Sequence, residues 1–287
     1  MYADFELAIP ETLDAALAAL VPGDGETHAL AGGTNMIVDL RARRATPARL
    51  VGLGKIEALR GIRIADGRIT LGARTTMSEI LHHPGLAKHA PSLVAQARVF
   101  GGQMVRNAAT VAGNICSGSP AADSVPPLLA LDAEVTLASA DRTRVVPLSE
   151  FFLGYKEDVR APGELMTEIA WDIPQTPTVD LFYKLARRKG DAITMVGVAV
   201  SLGVEDGVCS RARVALGAVA PVVKRAVAAE ALLTGRALTP ALIEEAAGRA
   251  TQEVDPIDDI RASAGYRRHT VHVLTRRLVS QAWDRLS

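Results

Sequence analysis

An α+β fold is predicted by three features of the sequence. Hydrophobic residues alternate with period two about two Asp-Gly turns, helical periodicity marks both ends of the chain, and glycine-rich loops join strand-like to helix-like segments. The 287 residues, 48% hydrophobic and 22% charged, have the composition of a soluble globular protein and not of a disordered, collagen-like or membrane-bundle chain. Single cores stop growing at roughly 250 to 300 residues, so subdivision is expected.

The elements follow in order. Leu13, Ala16, Leu17 and Leu20 recur at helical spacing behind a Thr12 cap, with Asp14 in the first turn. That helix runs to about Val21 and is broken by Pro22-Gly23-Asp24-Gly25. The apolar run from His28 to Ala31 reads as a strand leading into Gly32-Gly33, with a helix from Asn35 to about Arg43. Residues 62–71 form a hairpin about Asp66-Gly67, and residues 199–216 a second about Asp206-Gly207. Residues 101–123 carry no period of 2 or 3.6, and an unstructured loop of that length is uncommon unless functional. Residues 134–138 and 165–173 read as strands, the Pro- and Thr-containing stretch from Trp171 to Thr178 resembles a linker, and a boundary falls near residue 177. Strands fill residues 181–216, and helices are expected at 226–233, 240–250 and 262–286.

Charge and cysteine content exclude several function classes. Lys plus Arg and Asp plus Glu each number 32, and aromatics are only 4%, so neither a basic field nor stacking platforms are available for a nucleic acid. Cys116 and Cys209 lie far apart and outside any CxxC or Cys/His cluster, so the chain alone supplies neither a zinc knuckle nor the four thiolates of an iron–sulfur cluster. Acidic Asp4, Glu6 and Glu11 among the first residues do not make a signal peptide, and a cytoplasmic location is the expectation. The longest uncharged apolar run, residues 192–204, is shorter than the roughly 20 residues of a membrane span. His269 and His272, and the adjacent His82 and His83, lack a third ligand, so no metal site is expected.

Two glycine loops carry the functional signal. Ala31, Gly32, Gly33, Thr34 and Asn35 join a strand to a helix, so backbone amides at the positive end of a helix dipole can face an anion. The Thr34 hydroxyl and the Asn35 amide add hydrogen bonds. The competing reading is a plain turn and helix cap. Thr110, Val111, Ala112, Gly113 and Asn114 close a second loop of the same chemistry, opened by Gly101-Gly102. Two such loops can enclose a dinucleotide pyrophosphate from two sides without many Arg or Lys residues. The sequence GLGKIE at residues 52–57 starts like a dinucleotide fingerprint but has Glu57 where a third glycine belongs, and an antiparallel hairpin follows it.

Six ordered motifs resemble one family: AGGTN at residues 31–35, VFGGQMVRNAATVAGNICSGSPAAD at 99–123, FFLGYK at 151–156, PGELMTEI at 162–169, YKLARRKGDAIT at 183–194 and RASAGYRRHTVHVLTRR at 261–277. Together they look like the medium, FAD-binding subunit of molybdenum hydroxylases, the group of xanthine dehydrogenase and carbon monoxide dehydrogenase. The resemblance implies a vanillyl-alcohol-oxidase-type FAD-binding fold of two α/β subdomains, residues 1–55 and 56–177, with a C-terminal α+β domain at 178–287. It implies that residues 31–35 and 110–114 are pyrophosphate loops, that Asp123 serves the adenosine or ribose side, and that Phe100 and Met166 cover the two faces of the isoalloxazine. Lys184 and Asp191 fall near its polar edge. This chain has Ala112-Gly113-Asn114 where some relatives have GGN, and Ala192 where some have an aromatic, which makes Tyr183 a candidate shield for the flavin.

The same resemblance implies FAD on this chain, with the molybdenum cofactor and two [2Fe-2S] clusters on partner subunits. Those partners would be a large molybdenum subunit and a small iron–sulfur subunit, assembled as a dimer of heterotrimers. Electrons would pass from the clusters through FAD to an external acceptor, whose identity the motifs leave open. A free-standing FAD-dependent oxidoreductase of the same fold is the alternative.

Overall fold

The computed structural model describes residues 4–20 and 26–287, so the expected break at residues 22–25 lies outside the described residues. The chain opens with strand β1 (Glu6–Ala8), helix α1 (Leu13–Leu20), strand β2 (Thr27–Leu30), helix α2 (Met36–Arg41) and strand β3 (Arg49–Gly52). β1 and β2 both pair with β3 in parallel, giving the order β1-β3-β2. Thr12 caps α1 as its sequence position predicts, its hydroxyl accepting from the Ala15 amide at 3.2 Å, and Ala16, Leu17 and Leu20 are the buried face.

A five-stranded antiparallel sheet comes next, assembled from β4 (Ile62–Ala65), β5 (Arg68–Gly72), β6 (Glu134–Ala138), β7 (Thr143–Pro147) and, after a short hairpin of β8 (Phe152–Gly154) and β9 (Glu157–Asp158), β10 (Leu165–Asp172). Its order is β4-β5-β10-β6-β7, with β10 central, so Trp171 belongs to a buried strand and not to a linker. Between β5 and β6 run six short helices: α3 (Met77–His82), α4 (Pro84–His89), α5 (Pro91–Arg98), α6 (Gln103–Ala108), α7 (Val111–Cys116) and α8 (Val125–Ala130). Proline at the first turn restarts α4 and α5, and a reciprocal Thr76–Glu79 capping box starts α3. The expected aperiodic loop at residues 101–123 is therefore corrected, because it holds α6 and α7. Each spans only six residues; α6 buries none of them, and the buried Val111, Ala112 and Ile115 of α7 cover little more than one turn, too short a run to define a period.

The last segment is a four-stranded antiparallel sheet of β11 (Thr178–Ala186), β12 (Thr194–Glu205), β13 (Val208–Gly217) and β14 (Lys224–Arg225), followed by helices α9 (Val227–Leu233), α10 (Pro240–Gln252) and α11 (Ala264–Trp283). β12 is buried along eleven of its twelve residues because both its faces are covered. Val196, Val198, Val200 and Leu202 enter a core shared with the three C-terminal helices, whereas Ala199 joins the large core beneath the first two sheets. On that second face the side chains are small: a Cβ at Gly217 would lie 3.0 Å from Pro126 of α8. Helix α8, buried throughout, thus packs directly against the C-terminal sheet.

Candidate functional site

The first glycine loop leaves β2 and enters α2 through Gly33, whose φ of +70° is open to glycine at little cost. A Cβ at Gly32 would overlap the Ala108 carbonyl oxygen and lie 2.5 Å from its carbon. Only glycine permits this approach, and it sets the first loop against the end of α6, immediately before the second loop. The amides of Gly32, Gly33 and Thr34 donate no hydrogen bond to any group among the described residues. They are donors available to an anion. Helix α2 has only six residues, so these amides carry the anion-binding capacity and the helix dipole expected from the sequence adds little. The Asn35 side chain turns onto α2 and donates to Asp39 at 3.0 Å.

The second loop is built differently. Thr110 caps α7 and its hydroxyl accepts from the Gly113 amide at 3.1 Å, while the Val111 and Ala112 amides reach the carbonyls of Thr75 and Ala73 at 2.9 and 3.4 Å. Asn114 accepts from the Ser124 amide at 3.0 Å and from the Ser124 hydroxyl at 2.5 Å, fastening α7 to the start of α8. Ala112 is buried. Four of these five residues, Val111 to Asn114, spend their amides on the chain itself, so this loop chiefly backs the first one.

Beyond α7 the chain reaches Asp123, which receives the Lys184 ammonium at 2.5 Å and the Thr194 hydroxyl. Lys184 also reaches the Val99 carbonyl at 3.4 Å. Burial pushes the Asp123 carboxyl up from its ordinary value, against the pull of Lys184 and Thr194. Next to Val99, Phe100 is half-buried against the large core, and its carbonyl is held by Arg106 at 3.1 Å. A cavity of about 840 Å³ opens between α5 and β11, with Val99, Phe182 and Lys184 on its walls and Arg98, Arg187 and Lys189 around it.

Two other expected residues make no hydrogen bond or ion pair with Asp123 or Lys184. Met166 is 1% exposed in the large core, enclosed because β10 is the central strand, with a bulge between it and Glu168. Asp191 is exposed, and no ion pair joins it to Lys184; its carbonyl instead accepts from Arg188. Tyr183 has the Arg277 guanidinium 4.2 Å from its ring centroid, so α11 covers one face of that ring. Thr194 and the Val99 carbonyl were missed in the sequence although both lie inside the quoted motifs. Arg267, 4% exposed at its side chain, was also missed; it donates to the Met195 and Ala218 carbonyls at 2.5 and 2.9 Å and to Asp259 at 2.8 Å. Among the described residues, no three His, Cys, Asp or Glu side chains are grouped to hold a metal ion, and no helix is long and apolar enough to cross a membrane.

Comparison with known proteins bears on this arrangement. Residues 3–176 match the family model of the FAD binding domain in molybdopterin dehydrogenase, and residues 181–282 match that of the CO dehydrogenase flavoprotein C-terminal domain. The chain is 31% identical to the nicotinate dehydrogenase FAD-subunit of Eubacterium barkeri, over 99% of this chain and 97% of that protein. It is 30% identical to the carbon monoxide dehydrogenase medium chain of Hydrogenophaga pseudoflava, over 98% of each. The solved structure of carbon monoxide dehydrogenase from that organism superposes with a TM-score of 0.95 at 31% identity, covering 99% of both chains.

Proposed function

The chain belongs to the family built from the FAD binding domain of molybdopterin dehydrogenases and the CO dehydrogenase flavoprotein C-terminal domain, and on that premise we propose that it holds one noncovalent FAD and works as the electron-transfer subunit of a molybdenum-containing dehydrogenase. The observation that carries the reading is the approach of Gly32 to Ala108, which sets the two glycine loops together, while the Gly32, Gly33 and Thr34 amides have no partner among the described residues. Such a cradle neutralises a pyrophosphate with backbone dipoles. Residues 31–35 would bind the pyrophosphate, residues 110–114 would fix their position, and Lys184 on the wall of the cavity would offer an ammonium paired with the Asp123 carboxylate. Phe100, next in sequence to the wall residue Val99, would cover a face of the isoalloxazine. FAD, when bound, supplies the one- and two-electron chemistry that no side chain of this protein offers.

The chain's own part is to bind, orient and shield. The Lys184–Asp123 pair is nearly closed to water, so it holds its charges in fixed places where a mobile pair would be screened. Electrons would enter from a small iron–sulfur subunit, itself supplied by a large molybdenum subunit, and leave to an external acceptor. The names of the relatives as medium chains and FAD-subunits support that division of labour. The units 1–55, 56–177 and 178–287 would serve as two FAD-binding subdomains and a C-terminal domain. The test is to purify the chain and titrate it with FAD, following flavin fluorescence, and then to precipitate the complex with acid. One equivalent should bind and be released to the supernatant. A folded chain that takes up no FAD at micromolar concentrations overturns the proposal.

A further inference from the structure

Helix α8 has an acidic residue beyond each end, and the C-terminal sheet grips both. At one end Asp123 takes Lys184 of β11. At the other, Asp132 takes three arginines: Arg211 at 2.8 Å, Arg213 at 2.8 and 2.9 Å, and Arg225 at 3.0 Å. Burial works against the Asp132 carboxylate, but the hydrogen bonds from Arg213 and Arg211 outweigh it and hold its pKa below the ordinary value.

The three arginines are themselves anchored. Arg211 also donates to the Ala130 carbonyl at 3.1 Å, the last residue of α8, and to the Ser201 hydroxyl at 2.9 Å. Arg225 is fixed by Glu230, which accepts the Val214 amide at 2.9 Å as well. Ser201 lies opposite Arg213 on one side and opposite Asp180 of β11 on the other. Asp180 in turn accepts the Ser92 amide at the start of α5 at 2.7 Å. Lys184 is four residues further along β11, on the same strand face as Asp180. A single rung of the sheet therefore links the Asp132 cluster to the strand that carries Lys184.

We infer that Asp132 is a positioning residue for the nucleotide site: by clamping β13 and β14 to the end of α8, it sets β11 so that Lys184 reaches Asp123 and the cavity between α5 and β11 keeps its wall. The consequence for the nucleotide rests on the FAD reading above; the clamp itself does not. A chain in which the clamp is released spends part of its time with Lys184 withdrawn, and its apparent affinity for the nucleotide falls in proportion to that fraction.

Asp132→Asn tests this in the full-length chain. Asp132 has a φ of +55°, a conformation asparagine also tolerates, so the substitution removes charge without forcing the turn. The control is Glu164→Gln, which removes a carboxylate shared by Arg142 and Arg144 within the five-stranded unit. Two quantities are measured beside the melting temperature: amide exchange at residues 180–186 without FAD, and the FAD dissociation constant. The expected result is faster exchange at 180–186 and a dissociation constant raised about fivefold in Asp132→Asn, with both unchanged in Glu164→Gln although each variant melts earlier. Wild-type exchange at 180–186 in Asp132→Asn overturns the clamp. Faster exchange with an unaltered FAD constant overturns its link to the site, and a wild-type chain that binds no FAD overturns the FAD reading and leaves the exchange result to decide the clamp.

Discussion

Lys184 and Asp123 meet at 2.5 Å across the border between the two cores, with side chains only 6% and 8% exposed. Removing one partner of such a pair strands the other charge in a poorly solvated place. Lys184→Met is expected to destabilise the fold by about 3 to 5 kcal/mol in urea unfolding. The double variant Lys184→Met/Asp123→Asn should recover much of that loss, because the residual amide carries no charge. If the double variant is as unstable as the single one, the cost comes from packing and not from the orphaned carboxylate.

Gly32 and Gly54 give a paired test of the loop contact. A Cβ at Gly54 meets nothing within 4 Å, whereas one at Gly32 overlaps backbone of Ala108. Gly32→Ala should cost more than about 3 kcal/mol, or prevent folding, and should abolish FAD retention wherever folded protein remains. Gly54→Ala should melt within a few degrees of wild type and retain FAD. Thermal melts with flavin absorbance decide the matter.

Acid stability should depend on Glu164. Hydrogen bonding by Arg144 draws its pKa down to about 2 from an ordinary 4.5, a shift that the Ala161 amide supports against burial. A carboxyl whose folded pKa is depressed contributes stability above its unfolded pKa and loses it as pH falls toward the folded one. The wild type is therefore expected to lose on the order of 3 kcal/mol between pH 4.5 and pH 2 through this group. Glu164→Gln should be less stable at neutral pH and should show a shallower decline across that window; parallel declines in the two proteins would exclude the mechanism.

Neither thiol should react in the native state. Burial pushes Cys209 up to about 11 and Cys116 also upward, so both stay protonated at pH 8. Iodoacetamide at that pH is expected to label neither, and both after unfolding in guanidinium. Native labelling of Cys116 would show the nearby Arg160 governing it instead.

The parts of this fold that were legible in the sequence are those whose geometry is local. The Asp66-Gly67 and Asp206-Gly207 turns have both residues at positive φ, the conformation a two-residue hairpin demands, and the strands on either side pair as the alternation predicts. Helix α6 was not legible, since its six residues bury none of their side chains and so display no stripe. The glycine loops could be found because glycine is itself the signal. Their unequal roles could not, because they depend on carbonyls of Ala73 and Thr75 supplied from another part of the chain. Likewise nothing local couples Asp123 to a lysine 61 positions away, or Asp132 to three arginines. Arg211 and Arg213, two apart on one strand face, were the available hint.

The two-ended grip on α8 also constrains how the protein is made. Asp132 leaves the ribosome well before Arg211, Arg213 and Arg225, which follow it by 79 to 93 positions. At roughly 5 to 20 residues per second, that interval lasts several seconds or more. During it α8 is already synthesised, but the sheet that will cover it is not, so the nascent chain exposes an apolar helix flanked by two unpaired carboxylates. Those charges keep the waiting segment hydrated at both ends and oppose premature self-association, and the same two residues become the docking points once the remaining strands emerge.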